Sequence, residues 1–385
     1  MTSLVILKQQ RAENRYAPEF NYLWSVCQAQ ARQVFDSVET IIVADDDTLA
    51  TIKLEQADYV LLLGLENIQF TATSLHHMKD AIDQSGKIVV PPRLADFSFV
   101  KDRPIYTLRE YEILEAKILS QGVQPHPPRR SHLPISLISG SAYDRHLSKF
   151  SVAEIFSQPD LLAETFASAD WITGAGIYHQ FIDYYGQTRD DILPYLPQHA
   201  HHILEVGCGR GLTGRLIQTQ LGCRVTGVEL NPVVAEEAKR HLWQVIVGDI
   251  QTVTLEHNTY DAVVATELFE HLVEPEIFLE KMKRALKPAG RIILSVPNVG
   301  HYAIVEDLLA GRWDYIPIGL LCYTHVRFFT RATIEAWLTR VGFETFHIIP
   351  QLTELPEHFL NLPDRLDVDI ENLKTKGFYV IIDNA

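Results

Sequence analysis

Glu205, Gly207, Gly209 and Gly211 are spaced two residues apart in His202-Ile203-Leu204-Glu205-Val206-Gly207-Cys208-Gly209-Arg210-Gly211. Ile203 to Val206 reads as a buried strand, and Leu212 to Gln220 as the helix after it. A strand, a glycine turn and a helix bring bare backbone close to a ligand at the carboxyl end of a sheet. The spacing selects the ligand. A dinucleotide turn wants Gly-x-Gly-x-x-Gly, but the sixth position from Gly207 is Leu212. A carboxylate at Glu205 would repel a pyrophosphate and attract a ligand carrying ammonium and sulfonium charge.

Two further constellations follow. The strand expected over 224–229 ends in Glu229, 22 residues after Gly207, and an acid there can chelate two ribose hydroxyls. After the next strands come Glu267-x-x-Glu270-His271 and, much later, His325. Two carboxylates and two imidazoles can hold a divalent cation that binds and acidifies an acceptor hydroxyl. His271 alone is a candidate general base, since imidazole titrates near neutral pH. Its plain alternative is capping the first turn of a helix expected over 269–286.

Taken together, these features resemble the class I S-adenosylmethionine-dependent methyltransferases over about residues 175–350. The glycine turn resembles their motif I, and Tyr260-Asp261 to Glu267, Glu270, His271 and Leu272 resembles motif IV. The resemblance implies an α/β architecture with a Rossmann-like seven-stranded sheet and S-adenosylmethionine as cofactor. It implies a cofactor site of Glu205, Gly207, Cys208, Gly209, Gly211, Glu229, Leu230, Asp249, Ile250 and Thr266, with Asp249 beside the adenine amino group. Tyr178 and Tyr185 would cover the methionine end. His271, Glu267 and His325 would face the acceptor. Glu-x-x-Glu-His with a later histidine is similar to ubiquinone-pathway O-methyltransferases and to small-RNA 2′-O-methyltransferases. That similarity implies magnesium or another divalent cation on Glu267, Glu270, His271 and His325, although Glu-His-Leu also occurs in metal-free relatives. Pro297-Asn298-x-Gly300-His301-Tyr302 and Arg312 to Tyr315 resemble a bacterial group of surface-glycan and secondary-metabolite pathways. Their aromatics would stack on an acceptor or pack a lid helix.

The elements that must position these residues divide the 385-residue chain into two α/β parts. Residues 1–125 read as a small domain, similar in part to the nucleotide-binding half of A-type glycosyltransferases through Asp45-Asp46-Asp47. Without a second acidic pair at Gly64-Leu65-Glu66-Asn67, a degenerate scaffold or a homodimerisation domain is expected instead. Residues 126–190 read as a proline-dense linker (Gln124 to Pro134) and a helical arm, and 191–385 as the methyltransferase-like domain. There, strands are expected at 203–206, 224–229, 244–248, 261–265, 291–296, 343–349 and 377–383. A net charge of −15 argues against a nucleic-acid surface and favours a small-molecule or glycan acceptor. Four scattered cysteines and the absence of a long apolar run suit a cytoplasmic protein with no membrane span. His199, His201, His202, His76 and His77 read as structural. The rival readings are a non-catalytic cofactor-binding scaffold or sensor and a metal-dependent 2′-O-methyltransferase for RNA ends. A nucleotide-dependent dehydrogenase is disfavoured by Leu212 and Glu205.

Overall fold

The computed structural model describes residues 1–44, 54, 57–64, 67–91, 93, 105–121, 135–157, 171–173, 175–176, 178–181, 183–361 and 368–384. It divides into two compact units, Met1–Ile182 and Asp183–Ala385.

The first unit is built on β1 (Ser3–Gln10), β2 (Ser37–Ala44), β3 (Tyr59–Leu63), β4 (Ile68–Gln69), β5 (Ile88–Val90), β6 (Ile135–Ser139), β7 (Trp171–Thr173) and β8 (His179–Gln180). Its main sheet runs β2-β1-β3-β6-β5-β7, with β6 antiparallel to its neighbours. This unit reaches further than the 1–125 reading, because β6 and β7 come from the stretch read as linker and arm. Among its described residues that stretch holds helices Gly140–His146 and Val152–Ser157 as well as strands, and β6 buries four of its five residues. The proline-dense segment and Asp45 to Asp47 lie outside the described residues.

In the second unit the expected strands form with small shifts of their ends: β9 (His202–Val206), β10 (Arg224–Glu229), β11 (Gln244–Val247), β12 (Tyr260–Thr266), β13 (Leu286–Pro297), β14 (Phe346–Leu352) and β15 (Thr375–Asp383). The order is β11-β10-β9-β12-β13-β15-β14, with β15 antiparallel to both neighbours. Central strands of such a sheet are covered on both faces, so they read as apolar runs. Leu204 and Val206 pack into one core layer, whereas Ile203 packs into the other. Helix Pro275–Ala285 ends just ahead of Lys287-Pro-Ala-Gly290, which forms a register shift at the start of β13, with Ala289 at φ 61°.

The chain leaves β9 for β10 and β11 on one side, then returns to β12 on β9's other side. Connections diverge there, opening a crevice at the strands' carboxyl ends. Val206-Gly207 and Thr266-Glu267 border that crevice. Among the described residues, no helix is long and apolar enough to cross a membrane.

Candidate functional site

Five consecutive amides of the glycine turn are already spent on the protein. Gly207 N and Cys208 N donate to Val228 O at 2.9 and 3.2 Å, Arg210 N to Tyr185 O at 3.2 Å, and Gly211 N to Cys208 O at 2.8 Å. Gly209 N donates to Glu229 Oε2 at 2.9 Å. A diphosphate cradle works by pointing such N–H groups at the ligand. This turn is therefore built for a ligand without phosphates, which disfavours the dinucleotide reading on geometry as well as on spacing.

Gly209 is fixed by its surroundings. It has φ +52°, and a Cβ there would stand 2.8 Å from Tyr185 O. Gly209→Ala is expected to cost about 1–3 kcal/mol of stability from backbone strain. It should also weaken S-adenosylhomocysteine binding about tenfold by displacing Tyr185. Thermal melting and calorimetric titration check both effects.

Tyr185 sits over this turn, and its hydroxyl accepts from Asn231 Nδ2 at 3.0 Å. Tyr178 belongs to the first unit, where it is 6% exposed in the core. Cys208 is packed below the loop, where a Cβ on Gly227 would meet its Sγ at 2.6 Å. Burial pushes its thiol well above the ordinary range, so it is a packing residue.

Glu205 lies elsewhere than its charge suggests. It shares a strand face with Ile203 and points beneath helix Leu212–Leu221, where its Oε2 would meet a Cβ on Gly214 at 2.4 Å. That oxygen has no hydrogen-bond donor. Burial, with Glu229 adding to it, raises the carboxyl to about 8, against an opposing pull from the Gly214 amide. Glu205 thus acts on a ligand through the loop it underpins.

The raised value sets a pH signature. The unfolded carboxyl ionises near the ordinary 4.5, whereas the folded one holds its proton to about 8. Stability from this group is therefore lost as pH rises across that window and is level above it. In the cofactor-free protein, Glu205→Gln should gain on wild type over the same window, by about 5 °C in Tm at its upper end. Parallel melting curves of both proteins from pH 5 to 9 would show a constant gap if the reading is wrong.

Glu229 faces the crevice. Oε2 accepts from Gly209 N, and Oε1 accepts from Asn231 N at 2.8 Å. Each oxygen keeps a second lone pair for a ribose hydroxyl. Asn231 caps helix Pro232–Ala238 through its side chain, a signal visible as Asn231-Pro232 in the sequence. Leu230 is 67% exposed just past β10, while Ile250 is buried. The Asp249 carboxylate accepts from Gln251 N at 2.9 Å and so shapes its own turn. Thr266 ends β12 paired in register with Ser295. Glycine turn, Glu229 and Tyr185 together fit S-adenosylmethionine.

Past Thr266 the chain makes a one-turn 3-10 helix, Phe269–His271, and the next helix starts at Pro275. His271 is therefore no cap of that later helix. It meets His325 with ring centroids 4.8 Å apart. Glu270, His271 and His325 offer ligand atoms that all lie within 4.8 Å of one another. His325 Nδ1 donates to Leu320 O at 3.1 Å and His271 Nδ1 to Thr324 O at 3.3 Å. A carbonyl on Nδ1 makes Nε2 the lone-pair nitrogen, the tautomer a metal takes. His325 Nε2 stands 3.7 Å from Glu270 Oε1.

Glu270 is the anomaly. It is 0% exposed, and neither carboxylate oxygen has a hydrogen-bond partner. Burial first, then the Glu267 charge, push its carboxyl far up, while burial and His271 push His325 down to about 3. An orphaned buried acid beside two oriented imidazoles fits a divalent cation by its donor set. Glu267 does not join this trio: its side chain pairs with Arg189 and Ser295. Arg189 and Ser295 are site residues that the sequence reading missed, and no motif marks either.

The other sequence candidates take structural parts. Asn298 donates to Thr375 O and accepts from Gly300 N, tying the end of β13 to the start of β15. His301 caps helix Tyr302–Leu309, and Tyr302 is buried against Phe359. Trp313 packs edge-on to Phe328. His202 pairs with Thr226, His201 N binds Asp261, and His76 and His77 lie on a helix surface.

Residues 178–348 match the model of a methyltransferase domain family. The ubiquinone biosynthesis O-methyltransferase of Coxiella burnetii is 24% identical over 153 residues, which are 38% of this chain and 65% of that enzyme. The chain thus spans just under two thirds of that relative. The enzyme of the same name from Nitrosococcus oceani is 27% identical over 189 residues, 46% of this chain and 78% of its own. A solved S-adenosylmethionine-dependent methyltransferase from Mesorhizobium loti overlays 51% of this chain and 98% of its own, at 17% identity and a TM-score of 0.38.

Proposed function

We propose that this chain, whose residues 178–348 form a class I S-adenosylmethionine-dependent methyltransferase domain, methylates a hydroxyl of a small molecule or glycan unit with the help of a divalent cation. The observation that carries the reading is Glu270, a buried carboxylate with no donor on either oxygen, faced by His325. Bound S-adenosylmethionine supplies the methyl group, and a bound cation lowers the pKa of the acceptor hydroxyl.

The chain's own residues do the remaining work. Glu229 and the glycine turn orient the cofactor, and Tyr185 covers the turn. Glu270 and His325, both buried, and half-buried His271 would hold the cation. Fixed geometry of this kind converts a bimolecular displacement into an oriented one. The similarity to ubiquinone-pathway enzymes supports oxygen as the methylated atom and a small molecule as the acceptor. A net charge of −15 supports the same choice over an RNA end.

The test is transfer of labelled methyl from S-adenosylmethionine into fractionated extract, with and without EDTA. Label in a low-mass or glycan fraction, lost with EDTA and restored by Mg or Mn, is expected. Transfer that ignores EDTA yet needs His271 would reassign His271 as the proton acceptor. Cofactor binding without label in any fraction would leave a non-catalytic scaffold.

A further inference from the structure

Glu267 has a strained backbone and a crowded carboxylate. Its φ is +51°, a conformation that a non-glycine residue keeps only where its neighbours impose it. Glu267 N donates to Ser295 Oγ at 3.0 Å, and that hydroxyl donates back to Glu267 Oε1 at 2.5 Å. Arg189 NH1 reaches the same Oε1 at 3.2 Å and Ser295 Oγ at 3.3 Å.

Arg189 is itself clamped. Its Nε and NH2 both donate to Asp191 at 3.0 Å, and Asp191 accepts from the Tyr379 hydroxyl. Its backbone N donates to Thr213 Oγ1 at 3.1 Å, in the helix that follows the glycine turn. The guanidinium is 17% exposed, whereas the Glu267 side chain is 54% exposed, so the carboxylate is held from one side and open to solvent on the other.

We propose that Arg189 is a positioning residue that latches Glu267 away from the Glu270–His271–His325 cluster. The resting centre then has three protein ligands, and release of Glu267 supplies a fourth. This rests on the reading that the cluster holds a divalent cation. Glu267 stands three residues before Glu270 in the connection that follows β12, with its backbone amide and its carboxylate both tied to Ser295. Through Thr213, the latch places the glycine turn and the cation cluster on one set of contacts.

The experiment is Mn(II) binding to the full chain, followed by electron paramagnetic resonance. It compares wild type, Arg189→Gln, Glu267→Gln, the double variant, Ser295→Ala and His325→Ala. Arg189→Gln is expected to bind Mn(II) about fivefold more tightly, since ligand charge count tunes such sites. Glu267→Gln and the double variant should match wild type. A merely structural arginine would lower affinity, not raise it. Ser295→Ala removes a tether without touching a charge and should move affinity the same way, which guards against misfolded Arg189→Gln. Equal or weaker binding in both latch variants, or weaker binding in Glu267→Gln alone, overturns the latch. Wild-type affinity in His325→Ala would instead overturn the cluster itself.

Discussion

His325→Ala is expected to lower kcat by about 10³-fold and to remove Mn(II) binding, with S-adenosylhomocysteine affinity unchanged. Glu270, a carboxylate at 0% exposure without a hydrogen-bond donor, destabilises the fold that contains it. Its histidine neighbour, driven down to about 3 by burial and by His271, is neutral and gives no ion pair at pH 7. Neither residue is there for stability. A cation supplies what both lack: positive charge for Glu270 and an acceptor for the His325 Nε2 lone pair.

The companion variant separates function from folding. Glu270→Gln keeps the shape and removes the ionisable carboxyl, so in chelator it should melt at or above the wild-type temperature. It should nevertheless lose cation binding and turnover as His325→Ala does. An acid kept for packing would show the reverse, with activity intact and stability lowered. Full EDTA-resistant activity in Glu270→Gln would sink the cation reading.

How much of this was legible depends on how far each contact reaches along the chain. β9, β12 and β13 were readable because their residues are buried on both faces, which leaves a mostly apolar run, whereas edge strand β11 was placed by its spacing in the alternation. Ile135–Ser139 and Trp171–Thr173 were not. They are 5 and 3 residues long, and β6 is inserted antiparallel beside β3, some 75 residues earlier in sequence. Five residues of mixed polarity carry no periodicity to distinguish strand from arm. Glu205 was placed on the right strand but facing the ligand. Its parity with Ile203 already put it on the inner face, and Gly214 marked the space it fills. Arg189 could not be read at all, since its partner Glu267 lies 78 residues away and an arginine before a pair of aspartates fits any solvated loop. The glycine turn and Glu-x-x-Glu-His, by contrast, are local patterns. Which of the two glutamates joins the cluster is decided by long-range contacts.

Glu229→Ala is expected to weaken S-adenosylhomocysteine binding by about 10²-fold, the loss of two charge-assisted hydrogen bonds. Contacts to the ligand are only part of what this position does. Through Gly209 N and Asn231 N, the Glu229 carboxylate ties the first turn of the cleft to the second. Its removal leaves two amides without their acceptor as well as a ribose without its chelator. Glu229→Gln is no gentler. An amide offers one acceptor where two are used, and its NH2 would confront one of those N–H donors. Asn231→Ala isolates the structural share: it removes the cap at a cost of about 1 kcal/mol but keeps both Glu229 oxygens. Its affinity loss should stay under about tenfold. Calorimetric titration of the three variants orders them: Glu229→Ala and Glu229→Gln together, Asn231→Ala far behind. If Asn231→Ala loses as much as Glu229→Ala, the carboxylate serves the turn and not the ribose. Ligand specificity in this cleft would then rest on the Tyr185 side of the loop.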